Sequence, residues 1–90
     1  MAKKIYRVEH EGHVFTRSTD RTYTHAIIIK KTKERFDREA KIYGESKVSL
    51  WAALTWAGRP DLAQKQLAMA RKDTDWEVVL CLPVILVKGG

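Results

Sequence analysis

At 90 residues, with 44% hydrophobic and 31% charged side chains, the sequence has the make-up of one small globular domain over residues 1–90 and is too apolar for a disordered tail. A formal charge of +6 favours partners that carry negative charge, whether nucleic acid or the acidic surface of another protein. No run reaches the roughly 18 apolar residues of a membrane span, no apolar segment follows Lys3 and Lys4 as a secretion signal requires, and the single Cys81 excludes an internal disulfide, so a cytoplasmic, reducing setting without membrane contact is expected.

The first element in chain order is a β-hairpin. "KKIYRVEH" alternates Tyr6 and Val8 with Arg7 and Glu9, Glu11-Gly12 supplies the turn, and "HVFTRST" returns. After a polar break at "TDR", the β-branched and aromatic run "TYTHAIIIK" predicts a third strand ending at Lys30.

In "KKTKERFDREAKIYG", residues 30–44, Phe36, Ala40 and Tyr43 form a thin apolar stripe at helical spacing. Glu34–Arg38 and Asp37–Lys41 are acid-before-base pairs four apart, and Gly44 ends the helix. Val48, Leu50, Ala52, Leu54 and Trp56 then alternate, which favours a strand over 47–57, although the alanines and leucines also suit a helix. Pro60 opens a second helix over 60–73, with Ala63, Leu67 and Ala70 on one face. The most apolar stretch, Val78 to Val87, predicts a buried strand in which Pro83 marks a bulge or a switch to an edge.

The order ββ(β)αβαβ predicts an α+β fold: a mainly antiparallel sheet of four to five strands with two helices packed on one face. The other face of that sheet is then free, wholly or at one end.

Catalytic and metal chemistry find little support. His10 and His13 bracket a turn without the further ligands that zinc needs. Cys81 lies between Leu80 and Leu82, which suits a core residue better than a nucleophile. Nucleophile-elbow, P-loop and dinucleotide-binding patterns are missing. The expectation is a non-enzymatic protein with no catalytic residues, no metal and no cofactor.

The polar run "TRSTDRTYTHAIII", residues 16–29, carries the functional expectation. Arg17, Arg21, Tyr23 and His25 fall within one strand-turn-strand region among the hydroxyls of Ser18, Thr19, Thr22 and Thr24, and Lys30 and Lys31 follow. Guanidinium forks, hydroxyls and aromatic rings are the groups that contact phosphates and stack on bases. Strict alternation puts Trp56 on the core face and Trp51 on the opposite one, so Trp51 is a candidate for stacking or for anchoring an interface. Arg59 completes the set of nucleic-acid or partner-binding candidates. Thr, Arg and Tyr are equally the ordinary furniture of a solvated strand face.

Thr16, Arg17, Arg21, Tyr23, Thr24, His25 and Ala26, followed by Trp56, Gly58, Leu62 and Ala63, resemble a pattern found in a loose set of small uncharacterised phage and prophage proteins. That pattern reads T-R-x-S-x-R-x-Y-T-H-A, an apolar triplet, then Trp and Gly before a helix beginning Leu-Ala. The resemblance covers about half the chain and implies no activity, only the setting of a phage or mobile-element accessory protein.

Three functions are weighed. The leading one is a small basic module that binds nucleic acid through a β-surface. The second is a phage-type inhibitor or adaptor that docks on a host protein, such as a defence nuclease or polymerase subunit. The third is an assembly protein that dimerises through a sheet edge.

Overall fold

The computed structural model describes residues 3–89. Strand β1 (Lys4–His10) turns into β2 (His13–Thr19) through two residues, Glu11 at φ 48° and Gly12 at φ 83°. Both lie in the left-handed region that a two-residue hairpin of this twist requires. The turn fixes the register, from His10 opposite His13 to Lys4 opposite Thr19.

The remaining elements are β3 (His25–Lys31), α1 (Lys33–Tyr43), a short 3-10 turn (Glu45–Lys47), β4 (Trp51–Ala57), α2 (Pro60–Arg71), β5 (Trp76–Pro83) and β6 (Ile85–Lys88). The strands form two three-stranded antiparallel sheets, in the orders β2-β1-β6 and β4-β3-β5. The expected single sheet of four to five strands with two helices on one face is therefore incorrect, although the α+β class stands.

The chain passes from one sheet to the other twice, between β2 and β3 and again at Val84. The Val84 N–H donates to the Thr24 carbonyl at 3.0 Å, which ties the two crossings together. Pro83 has no N–H to extend the ladder, so the long apolar run breaks into two strands beside it.

Sheet β4-β3-β5 is the middle layer. On one side Ile27 and Ile29 pack with Leu67 and Ala70 of α2, joined by Ala52, Trp76, Val79 and Cys81. On the other side Ala26 and Ile28 pack with Val8, joined by Phe15, Trp51, Ala53, Trp56, Leu82 and Val84. The face expected to be free is thus covered by the second sheet. That is why Ala26 to Ile29 are all buried, at 1% exposure or less. Burying each isoleucine contributes about 1.5–3 kcal/mol, so β3 is the mechanical centre of the molecule.

The helices differ in how they are held. In α2, Pro60 occupies the first turn and Ala63, Leu67 and Ala70 form the buried stripe. In α1 no residue is buried, so α1 is not a second helix packed firmly on the sheet. Its N-terminus is capped by Thr32, whose Oγ1 accepts from the Arg35 N–H at 3.2 Å.

Two further expectations change. Strand β4 carries a bulge: Ile27 pairs with Thr55 and Ile28 with Ala53, so Leu54 is the extra residue. The bulge reverses the alternation, and Trp51 and Trp56, five residues apart, both face the β2-β1-β6 layer. The apolar run to Val87 was expected to be buried, yet Ile85, Leu86 and Val87 are exposed on the edge strand β6. Among the described residues, no helix is long and apolar enough to cross a membrane.

Candidate functional site

Strand β3 separates the expected binding residues into two groups. Seven residues at about 3.3 Å each put His25 and Lys31 about 20 Å apart. Arg17, Arg21, Tyr23, His25 and Arg59 belong to the His25 end, where the chain first changes sheets. Lys30, Lys31 and Trp51 belong to the other end.

At the first end, Thr19 and Tyr23 bound a corner. The buried Thr19 accepts the Arg21 N–H on its Oγ1 at 3.1 Å, which holds the bend. Thr24 donates its N–H to the Ala57 carbonyl at 2.8 Å, joining the corner to the end of β4. Gly58 lies so close that a Cβ there would stand 3.0 Å from the Thr22 carbonyl oxygen. Arg59 is thereby brought beside the corner, although it is 42 residues from Arg17 in sequence.

The side chains of the corner are ordered by rings. Arg17 stands 5.6 Å from the centroid of Tyr23, and Tyr23 meets Tyr6 edge-on at 5.6 Å and Trp56 at 6.0 Å. His25 Nδ1 is 2.9 Å from Thr24 Oγ1. Lys4 donates from Nζ to Thr22 Oγ1 at 3.0 Å. Lys4 was missed in the sequence, yet counting outward from the Glu11-Gly12 turn places it opposite Thr19.

The corner gathers cations without acidic partners, a condition shared by Lys33, Lys41, Lys47, Lys65, Arg71, Lys72 and Lys88 elsewhere among the described residues. Among the described residues, no carboxylate lies within ion-pair distance of Lys4, Arg17 or Arg21, whereas Arg59 has Asp61 at 3.6 Å. Asp20 is the acidic residue within the bend itself.

At the other end Lys30, Lys31 and Arg35 are committed, whereas Lys33 has no carboxylate within ion-pair distance among the described residues. Lys31 pairs with Glu39, both largely shielded, and Lys30 lies 3.4 Å from Glu77. Arg35 bonds Asp75 at 2.8 Å and Glu39 at 3.2 Å, and stands 5.2 Å over the Trp76 ring. The hydrogen bond from Lys31 holds the Glu39 carboxyl below its ordinary range; burial opposes this, and the attraction of Lys31 and Arg35 adds to it. The Arg35 guanidinium is held above its ordinary value chiefly by the hydrogen bond to Asp75. Trp51 does not face open solvent. His13 stacks on it at 5.2 Å and His10 lies at 5.3 Å.

Burial pushes the Cys81 thiol up, partly offset by Arg71, which favours the thiol over the thiolate. Among the described residues there is no cluster of three or more His, Cys, Asp or Glu that could hold a metal ion. Compared with protein-family models, curated proteins and solved structures, the chain gives no match.

Proposed function

We propose that the protein is a small non-catalytic module that binds nucleic acid through the corner formed by Lys4, Arg17, Arg21 and Arg59. The carrying observation is the grouping of Lys4, Arg17 and Arg21 at one corner, where none has a carboxylate partner among the described residues, while Lys30, Lys31 and Arg35 are bound to acids of their own chain. An unpaired guanidinium keeps its fork of donors for phosphate oxygens. The hydroxyls of Ser18 and Thr22 lie in the same exposed stretch and suit backbone contacts, which position a protein without reading sequence. The phage or mobile-element setting implied by the resemblance fits a small accessory protein of this kind.

The test is a salt titration by fluorescence anisotropy with a labelled mixed-sequence DNA. Each phosphate contact releases condensed counterions, so three contacts give a slope of log affinity on log salt of about −2.7 on duplex. Arg17→Ala/Arg21→Ala should flatten that slope by nearly two units. Affinity that does not change with salt, or that the double substitution leaves intact, removes the reading.

A second reading, docking on a host protein, is favoured by one observation. Ile85, Leu86 and Val87 are exposed together on an edge strand, a feature that partner proteins use. Capture of one host protein that survives nuclease treatment and is lost in Leu86→Lys supports it over nucleic-acid binding.

A further inference from the structure

We infer that the nucleic acid gripped by the corner is a duplex, held by its backbone, and not an unpaired strand. The inference rests on the corner being a nucleic-acid surface, and it concerns which form of nucleic acid fits there.

Proteins that hold unpaired strands combine a basic groove with open aromatic faces, because each splayed base needs a ring to stack on. Here the rings at the corner are already engaged. Tyr23 has the Arg17 guanidinium over it, with Tyr6 and Trp56 against it, and both Tyr23 and Trp56 are only partly exposed. Trp51 is stacked with His13 about 20 Å away at the far end of β3, and Trp76 lies under Arg35. The exposed His13 ring is stacked on Trp51, and the one exposed Phe, Tyr or Trp among the described residues is Tyr43, 63% exposed, on α1. That helix follows the far end of β3.

What remains available at the corner is charge and hydroxyl. Arg17, Arg21 and Lys4 offer donors, and the stacking of Arg17 on Tyr23 limits the freedom its side chain loses on binding. Such groups match a dense, regular array of phosphates. A duplex presents one charge per about 1.7 Å of its axis, and both strands contribute to a single patch. The shared chemistry is the double-stranded phosphate backbone, of DNA or of RNA.

The experiment measures anisotropy with three fluorescein-labelled probes of one mixed sequence: duplex DNA, duplex RNA and single-stranded DNA. The full chain is used at low salt, and Tyr43→Ala is run in parallel. Open ring platforms strengthen single-strand binding by about five- to 150-fold per base. Without them, at least one duplex should bind about tenfold or more tightly than the single strand, and Tyr43→Ala should change neither. Preference for DNA or for RNA then identifies which duplex the corner fits, and either supports the inference. A single strand that binds as tightly as both duplexes, or loses affinity in Tyr43→Ala, overturns the duplex assignment while leaving the nucleic-acid reading in place. No binding to any probe overturns both.

Discussion

The two ends of β3 carry similar side chains and use them differently. At the Lys31 end, Lys30, Lys31 and Arg35 meet Glu77, Glu39 and Asp75, and Arg35 covers Trp76. At the His25 end, Arg17, Arg21 and Lys4 meet a tyrosine ring, a bend and a threonine hydroxyl but, among the described residues, no acid. In the first set, the pairs of Lys31 and Arg35 hold α1, a helix with no buried residue of its own, onto the body. The second leaves positive charge to the solvent. Basic residues therefore speak about partners only after their intramolecular acids have been counted.

The largest effect that bears on this contrast comes from the strand linking the two ends. Ile28 is fully buried between the middle sheet and the β2-β1-β6 layer, so Ile28→Ala should cost about 2–5 kcal/mol in urea unfolding. It should loosen the corner and the ion-paired end together. A cost below about 1 kcal/mol would contradict a β3 packed on both faces.

Glu39→Gln isolates the committed end. It leaves Lys31 without its partner and should cost about 1–2 kcal/mol, between the values for exposed and buried pairs. Nucleic-acid affinity should not change. The pH dependence has a definite sign. Because the Glu39 carboxyl is held below its ordinary value, its contribution is complete above the unfolded carboxylate range and disappears as pH falls through the lower folded value. Wild type and Glu39→Gln should therefore converge in acid, as followed by urea unfolding at stepped pH. A gap that widens in acid would assign the anchoring of α1 to something else.

Gly58→Ala acts at the other end. The added Cβ would meet the Thr22 carbonyl at 3.0 Å, forcing the β4–α2 link away from the corner by a few tenths of an ångström at a cost of about 1 kcal/mol. Amide exchange should quicken at Thr24, whose N–H bonds Ala57, and remain unchanged in α1. Unchanged exchange at Thr24 would show that the link does not brace the corner.

Much of the local structure was legible in the sequence. The Glu11-Gly12 turn, α2 with Pro60 at its start, and Gly44 at the end of α1 follow from backbone chemistry that acts over a few residues. The two-sheet division was not legible. Val78 to Val87 reads as one apolar run, and only the bond from Val84 to Thr24, 60 residues earlier, shows where it changes layers. The bulge at Leu54 was hidden by a pattern that alternates without a break, so the side taken by Trp51 was misread. Arg17, Arg21 and Tyr23 could be grouped because they are neighbours in the chain. The fate of Lys30 and Arg35 could not, because Glu77 and Asp75 arrive from 40 residues or more away.

The smallest effect is on the stability of the corner itself. Arg17 and Arg21 are exposed, and Arg17 contributes one ring contact worth about 0.5–1 kcal/mol. Arg17→Ala/Arg21→Ala should lower unfolding stability by no more than about 1 kcal/mol. A larger loss in urea unfolding would make these arginines structural, like their counterparts around α1.

The most direct measurement compares two double substitutions of equal charge for duplex binding by anisotropy. Arg17→Ala/Arg21→Ala and Lys30→Ala/Lys31→Ala each remove two positive charges from the +6 chain. The corner pair should lower affinity by about tenfold or more, and the far-end pair by about twofold at most, because direct phosphate contacts count for more than distant charge. Equal losses would mean that net charge alone draws the polyanion, and the division between a committed end and an open end would carry no functional meaning.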